Sequence, residues 1–175
     1  MPTYHDHVYP LVGTTGGWLE NLFIICGGED EGEVFKECFK IGKRNINHHG
    51  NMIYKRANAA SIVLGENLWV LGGYGNSNSW ITSEYISAID GSSKEGPNLP
   101  IGLANHATVK INSTYSMLIG GDCLDFNDDQ RYTQWVPCAL HNSPDFFHID
   151  TEWADWLTLG QFRYLADQSK SMIRG

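Results

Sequence analysis

Three short stretches carry side chains that can ligate a metal ion: His5-x-His7, His48-His49 and Asp125-x-Asn127-x-Asp129. The acidic stretch matches the opening of a calcium-binding loop, but Gln130 stands where that loop needs glycine and Val136 where it needs glutamate. Neither histidine pair has a cysteine or carboxylate partner at the spacing of a zinc site. The sequence therefore predicts neither a bound metal nor a cofactor.

Covalent and phosphate chemistry also lack a sequence signature. The motifs GxxxxGK[ST], HExxH and GxSxG, which mark phosphate-binding loops, zinc proteases and serine hydrolases, do not occur in the sequence. We therefore expect a protein without catalytic residues.

Side chains that suit contact with a protein partner are concentrated in the connections between apolar runs. Three connections cover residues 29–33, 74–82 and 122–145, and the last is long for a structureless segment, which is typical of a binding loop. Aromatic and arginine side chains on exposed loops are favoured anchors of protein interfaces. The predicted partner-binding residues are Tyr74, Trp80, Asp125, Asp128, Asp129, Arg131, Tyr132 and Trp135, with Arg56 and Arg163 in linking segments.

These residues also have structural interpretations. The segment 122–145 can be a surface insertion whose Trp135 packs back onto the fold, and Trp80 can pack at the start of a strand. Arg56 and Arg163 can have solvated or structural roles in their links. The sequence leaves both interpretations of the long segment open.

The four cysteines contain no CxxC motif. Cys26 lies in an apolar run and Cys38 in the next predicted strand, so we expect two buried thiols that behave as small hydrophobic groups. Cys123 and Cys138 bracket the long segment, and a disulfide between them would favour an oxidising compartment. Asn112-Ser113-Thr114 forms a glycosylation sequon at a predicted turn, where the same residues are also ordinary turn formers. The sequence does not decide the cellular compartment, but it slightly favours the extracellular side.

The elements that would position these residues are repeated along the chain. Three apolar runs each end in a glycine pair: Gly27-Gly28, Gly72-Gly73 and Gly120-Gly121, which lie 45 and 48 residues apart. The segment ANAASIVLGENLWVLGG, which starts at Ala57, aligns with ANHATVKINSTYSMLIGG, which starts at Ala104. Such matched flanks predict a repeat fold rather than chance glycine doublets.

Each repeat is predicted to contain β-strands. SIVL and LWVL, or HATVKI and YSMLI, are apolar runs joined by short polar turns, which is the pattern of a hairpin. Third strands are predicted in VFKECFKI, SEYISAID and FFHID, and fourth strands at Asn51–Tyr54, Ser92–Gly96 and Glu152–Leu157. We expect each glycine pair to end a tightly packed inner strand, where positive φ angles and close backbone approach are needed. Four short strands per repeat favour a propeller blade.

The repeats resemble those of the kelch family of β-propellers, in which an apolar run and a glycine pair are followed by tyrosine, tryptophan and a basic residue. The second repeat supplies Tyr85 and the third supplies Phe146-Phe147, Trp153 or Trp156, and Arg163. The first supplies Phe35 or Phe39 and leads into Arg56. The resemblance covers about residues 7 to 166, and its structural motif residues are Gly27, Gly28, Gly72, Gly73, Gly120, Gly121, Tyr85 and Trp153.

The resemblance implies an all-β fold, a partial kelch-type β-propeller of about three four-stranded antiparallel blades. We expect one region over 1–175, with units at about 7–54, 55–100 and 101–159 and a tail over 160–175 that starts a further unit. Propellers usually close with four to eight blades. We therefore expect either a fragment of a longer protein, which we favour, or a ring completed by self-association.

The resemblance also implies a function. Kelch propellers commonly serve as non-catalytic modules that bind a protein partner through loops on one face, and this is the predicted function. The alternative is that these blades belong to a carbohydrate-active kelch-like enzyme of the sugar-oxidase or sialic-acid epimerase type. Heat from stoichiometric binding of copper or sugar in a calorimetric titration would favour the enzyme.

Composition limits the partners. The 175 residues include 12 Lys and Arg against 20 Asp and Glu, for a net charge of −8. This balance disfavours nucleic acid, whose phosphates need clustered cations. The longest apolar stretch, residues 22–26, is far too short to cross a bilayer, so no membrane insertion is expected. The expected partner is a protein whose contact surface is rich in Lys or Arg.

Overall fold

The computed structural model describes residues 11–19, 22–43, 45–75, 81–99, 102–110, 115–119, 121–126, 133–137, 145–149 and 154–157. These residues form β-strands, turns and links, and no helix occurs among them. Three four-stranded antiparallel sheets follow one another in chain order, so the chain has the predicted all-β fold. The sheets are called blade 1, blade 2 and blade 3 below.

Blade 1 is a four-stranded sheet with a small hairpin between its second and third strands. Its strands are β1 (Thr15–Leu19), β2 (Leu22–Cys26), β3 (Glu29–Asp30), β4 (Glu33–Val34), β5 (Glu37–Ile41) and β6 (Ile46–Asn51). The sheet has the order β1-β2-β5-β6, and β3 pairs with β4. The fourth strand therefore lies before the predicted Asn51–Tyr54. The prediction was wrong because the fourth strand, INHHGN, lies at the edge of the sheet and is mostly polar. It therefore lacks the apolar pattern by which strands are predicted.

Blade 2 is the most regular sheet. Its strands are β7 (Ala60–Leu64), β8 (Asn67–Leu71), β9 (Ser83–Ser87) and β10 (Ser93–Glu95). They pair in chain order, which confirms the predicted hairpin and third and fourth strands. The turn of Gly65 and Glu66 joins β7 to β8, and Gly65 has the positive φ of 55° that a two-residue hairpin turn favours.

Blade 3 has a second sheet beside it. Its region contains β11 (Leu103–Ala104), β12 (Ala107–Lys110), β13 (Tyr115–Ile119), β14 (Asp122–Phe126), β15 (Thr133–Pro137), β16 (Asp145–Ile149) and β17 (Ala154–Leu157). The blade has the order β12-β13-β16-β17, whereas β11, β14 and β15 form a separate three-stranded sheet. The long segment 122–145 is thus not a structureless connection, because ten of its residues pair as an antiparallel hairpin.

The first strands of the three blades, β1, β7 and β12, lie next to one another. Hydroxyl groups join them in a repeated way: Ser61 Oγ donates to Gly16 O at 2.9 Å, and Thr108 Oγ1 donates to Ser61 O at 2.6 Å. The glycine pairs follow the second strands. Each of these second strands is paired on both sides within its sheet, as expected for an inner strand that ends in a glycine pair.

Two apolar clusters hold neighbouring blades together, and β8 contributes to both. Leu68 and Val70 face blade 1, where they pack with a cluster that includes Leu19 and Ile24. Trp69 and Leu71 of β8 face blade 3. They pack in a second cluster with Ile62, Leu99, Leu103 and Leu118. Because side chains alternate along a strand, one strand buried on both faces connects three blades.

The glycine pairs adopt the backbone conformation that the sequence predicts. Gly27 and Gly28 have φ of 63° and 101°, and Gly72 and Gly73 have φ of 60° and 85°. The amide of Gly28 donates to Arg56 O at 3.0 Å, and the amide of Gly73 donates to Leu103 O at 2.8 Å. In blades 1 and 2, the second glycine thus connects the end of the second strand to the link, which is the connection between the last strand of one blade and the first strand of the next.

A disulfide joins Cys26 of β2 to Cys38 of β5. The two residues lie directly opposite each other in the ladder between these strands, and both side chains are buried in the cluster between blades 1 and 2. The expectation of two separate thiols is therefore wrong, because strand pairing brings the two cysteines together. The predicted disulfide between Cys123 and Cys138 stays a prediction, because Cys138 lies outside the described residues and only the backbone of Cys123, in β14, is described.

Replacing Gly72 by valine should destabilise the fold. A β-carbon at Gly72 would collide with the carbonyl oxygen of Leu103, and the positive φ adds strain for a branched side chain. We expect a loss of several kcal/mol in the free energy of unfolding, on the order of 4 kcal/mol, measured by chemical denaturation.

Gly65→Val is the matched control. Gly65 also has positive φ, but no atom lies within 4 Å of the β-carbon that it would gain. This variant should therefore lose less stability than Gly72→Val. Equal losses would show that backbone conformation alone, and not the close approach of the next link, constrains the glycine pair.

Candidate interaction face

One face of the molecule, called the loop face below, is formed by the links before each blade and by the segments that follow the glycine pairs. These parts are hydrogen-bonded to each other in all three repeats. Val12 pairs with Glu29, Ala57 pairs with Tyr74, and β11 pairs with β14. Backbone pairing to the links therefore holds the segments of this face in place on the blades.

The links themselves are joined in a series. The amide of Asn58 donates to Gly13 O at 2.8 Å, and the amide of Asn105 donates to Asn58 O at 3.0 Å. All three residues have positive φ, of 69° for Gly13, 52° for Asn58 and 56° for Asn105. Asparagine and glycine are the residues that accept this conformation most readily. The recurrence of the same geometry three times identifies equivalent positions in the repeats.

The hairpin of β3 and β4 gives the loop face an acidic projection. Glu31 and Glu33 are exposed, and Glu31 and Gly32 form its tip with φ of 47° and 83°. Lys55 forms a surface ion pair with Glu33 at 3.5 Å, which contributes little to stability in water. Val12 lies beside the hairpin and is also exposed. The hairpin can therefore offer carboxylates and an apolar contact to the same partner.

Tyr74, a predicted partner-binding residue, lies on this face at the end of the glycine-pair segment of blade 2. Its side chain is partly buried and interacts with the Glu29 carboxylate. Desolvation, followed by the interaction with Glu29, raises the pKa of the Tyr74 phenol to about 12. The phenol therefore stays neutral at physiological pH and connects the blade 2 segment to the hairpin of blade 1.

Arg56 was predicted to line a binding surface, but the structure places it in the interior between blades 1 and 2. Its guanidinium is fully buried and pairs with Glu84 of β9 at 2.7 Å. Nη1 also donates to Gly72 O at 2.6 Å and to Thr82 O at 3.1 Å. The prediction was wrong because the link carries Arg56 inward, where a planar cation with five donors satisfies several acceptors at once.

Glu84 completes this buried site. One of its carboxylate oxygens accepts from Arg56, and the other accepts from the amide of Ile53 at 2.5 Å. Burial lowers the pKa of Arg56, and the Glu84 charge opposes that effect. Glu84 carried no sequence signal for this role, because SEYIS reads as an ordinary alternating strand in which a charged residue is expected to face solvent.

His106 lies in the link before blade 3, close to the glycine pairs of blades 2 and 3. Its side chain is buried, and neither ring nitrogen has a hydrogen-bond partner among the described residues. Burial lowers the pKa of the His106 imidazole to about 4, so the ring is neutral at pH 7. In the enzyme alternative, the sequence offers His106, His141, His148 and Tyr132 as candidate copper ligands, and the structure describes the side chain of His106 alone among them.

A polar groove lies on blade 2, beside the end of the segment that follows its glycine pair. It is lined by Tyr54, Ile81, Thr82, Ser83, Glu95, Gly96 and Asn98. The Tyr54 hydroxyl donates to Glu95 at 2.9 Å, and this hydrogen bond with the nearby carboxylate charge raises the pKa of Tyr54. The groove brings together none of the predicted site residues.

Tyr85, predicted as a structural residue, stacks on Trp69 with ring centroids 5.2 Å apart and an interplanar angle of 16°. This pair packs against the cluster between blades 2 and 3, as expected for a blade aromatic.

The remaining predicted residues differ in how far they are described. Asp125 and Trp135 lie in β14 and β15, and only their backbone is described; Trp80, Asp128, Asp129, Arg131, Tyr132, Arg163, Gly120, Trp153 and Asn112 lie outside the described residues.

In the described part of the chain, no group of three or more His, Cys, Asp or Glu side chains is placed to hold a metal ion. The same residues contain no helix with the length and apolar character that a membrane crossing requires.

The sheets and the loop face define the chain as part of a β-propeller that is not closed. No family model matches the sequence, and no curated protein matches it. Among solved structures, the chain is similar to the one described as "Structure of YjhT", with a TM-score of 0.64 and 15% sequence identity. The match covers 88% of this chain and 52% of the other, so this chain spans about half the length of that protein. The similarity supports the fold alone.

Replacing Arg56 by methionine should leave the Glu84 carboxylate buried without its cation. We expect a loss of about 3–5 kcal/mol in the free energy of unfolding, measured by urea denaturation. The double variant Arg56→Met/Glu84→Gln removes both charges and should lose less than Arg56→Met alone. A double variant that is no more stable than the single one would contradict an unpaired charge as the cause.

Stability should fall as the pH drops from about 6.5 to about 4, in part because of His106. The folded state keeps this imidazole neutral, whereas the unfolded chain, with the ordinary pKa of 6.5, binds a proton in that range. The contribution is fully present above pH 6.5 and is lost toward pH 4, by on the order of 3 kcal/mol.

Denaturation curves over this range should be less pH-dependent in His106→Gln than in the parent chain. Leu99→Ala is the matched control, because Leu99 and His106 both lie against Gly72 and the variant keeps the imidazole. An unchanged pH dependence in His106→Gln would contradict the assignment.

Proposed function

We propose that this chain is a kelch-repeat propeller module that has no catalytic role and binds a protein partner through its loop face. The observation that carries the proposal is the attachment of the loop-face segments to the links by backbone pairing in each repeat. Loops that are held in this way keep their shape before a partner arrives, which lowers the entropic cost of binding. A fixed framework with variable loops is the usual design of a recognition surface.

The chemistry of the face favours a basic partner. The β3–β4 hairpin exposes Glu31 and Glu33, with Asp30 partly exposed beside them. The whole chain carries a net charge of −8, which would attract a cationic surface over distances of about 10 Å at moderate salt. Val12 adds an exposed apolar group next to these carboxylates. The partner is therefore a protein segment that is rich in Lys and Arg and includes apolar residues.

The Cys26–Cys38 disulfide supports a partner in an oxidising compartment. Disulfides persist in secreted and extracellular proteins and are rare where the cell keeps thiols reduced. The cysteines and the sequon in the sequence likewise favour an extracellular location.

A labelled 15-residue peptide of alternating Lys, Arg and Leu tests the proposal by fluorescence anisotropy. The parent chain should bind it, and Glu31→Lys should weaken binding by about 5-fold or more because the variant places a cation on the projection. Raising the salt concentration should weaken binding by the parent chain as well.

Glu66→Lys is the matched control, since it changes net charge equally but lies exposed in the β7–β8 turn, where no loop-face segment is placed. It should bind almost as well as the parent chain. Equal losses in both variants would mean that overall charge and not the hairpin attracts the peptide, and no binding by the parent chain would contradict the proposal.

A further inference from the structure

The polar groove on blade 2 belongs to the loop face. Its walls come from the link before blade 2, from the segment that follows the glycine pair, and from the end of β10 with the link after it. They include Tyr54, Thr82, Glu95, Gly96 and Asn98. The groove has a volume of about 370 Å³, which is at the small end of the range for ligand pockets. It therefore has room for one side chain of a partner.

Glu95 gives the groove a carboxylate that no cation neutralises. Side chains alternate along a strand, so Glu95 lies on the same face of the sheet as Glu84, its partner in the ladder between β9 and β10. Glu84 is already paired with Arg56. Lys94 lies opposite Tyr85 in the ladder, on the other face of the sheet. In the described part of the chain, no Lys, Arg or His side chain forms an ion pair with Glu95, so the groove keeps a negative charge.

Tyr54 forms a fixed wall beside this carboxylate. Its hydroxyl donates to Glu95 Oε1 at 2.9 Å, and its ring lies over the buried guanidinium of Arg56, with 5.7 Å between the ring centroid and Cζ. The hydrogen bond to Glu95 and the carboxylate charge raise the pKa of Tyr54, so the hydroxyl keeps its proton at neutral pH. Because the ring and the hydroxyl are both held, the groove needs little ordering when a ligand binds.

Two acceptors lie side by side in the groove. The Glu95 carboxylate has lone pairs beyond the one that Tyr54 uses, and the Tyr54 oxygen donates its proton to Glu95 and can still accept a hydrogen bond. A complementary ligand carries a positive charge and several donors on one compact atom. The ammonium group of lysine has three such donors. The planar fork of arginine pairs best with both oxygens of one carboxylate, and Tyr54 already holds one of them.

We propose that the groove binds the ammonium group of a lysine side chain of the partner, with Glu95 as its counter-charge and the Tyr54 hydroxyl as its second acceptor. This inference rests on the proposed function, since it assigns a position on the loop face to one cation of a basic partner. The acidic hairpin of blade 1 attracts such a partner as a whole, and the groove selects one of its residues.

Fluorescence anisotropy with two labelled 15-residue peptides tests the assignment. One peptide alternates Lys and Leu, and the other alternates Arg and Leu. Glu95→Gln removes the charge and keeps an acceptor for the Tyr54 hydroxyl, so its melting temperature should match that of the parent chain. This variant should weaken binding of the Lys peptide by about 3-fold or more, and binding of the Arg peptide by less.

Glu66→Gln is the matched control. It removes one exposed carboxylate from the β7–β8 turn and changes the net charge by the same amount as Glu95→Gln. It should bind both peptides almost as well as the parent chain.

Tyr54→Phe tests the choice of lysine over arginine. The variant keeps the ring over Arg56 but removes the second acceptor, and it leaves both Glu95 oxygens to the fork of arginine. The preference of the protein for the Lys peptide over the Arg peptide should therefore fall relative to the parent chain.

The outcomes separate this inference from the loop-face function. If Glu95→Gln binds the Lys peptide as well as Glu66→Gln does, while Glu31→Lys still weakens binding, the groove is not a lysine site and the loop-face function is unaffected. A peptide preference that is unchanged or higher in Tyr54→Phe would contradict lysine as the ligand. If the parent chain binds neither peptide, both proposals fail.

Discussion

The close approach of the glycine pairs of blades 1 and 2 to the link that follows each blade is the constraint on which the rest of this structure depends. The second glycine donates its amide to a link carbonyl, as Gly28 does to Arg56 and Gly73 does to Leu103. No side chain fits between the two backbones at this distance. The contact fixes where one blade ends and the next begins, and it places the segments of the loop face next to the links that hold them.

Packing between blades follows from this constraint. Once the links are fixed, alternate residues of β8 must face opposite neighbours, and both faces of that strand are buried. The Arg56–Glu84 pair lies among these apolar contacts. A buried ion pair adds less stability than well-packed apolar residues would, but it strongly disfavours any packing that separates the charges. We infer that the pair specifies how blade 2 sits on blade 1.

The sequence predicted the fold better than it predicted the site. Glycine pairs, apolar runs and matched flanks indicate the blades because they express local backbone and burial requirements. The inserted hairpin of β14 and β15 could not be predicted, since its pairing with β11 depends on where the preceding link lies. The inward direction of Arg56 and the pairing of Cys26 with Cys38 depend in the same way on contacts between strands that are distant along the chain.

The disulfide of blade 1 has a consequence for the acidic hairpin. Cys26 and Cys38 are 12 residues apart, and the hairpin of β3 and β4 lies entirely between them. The projection is thus part of a small covalent ring. A protease that cuts the backbone at the exposed tip would not release either end, because the sulfur bridge keeps both cut ends attached to the same blade. Under oxidising conditions, a nicked chain would retain all its residues and would show its break only on reduction.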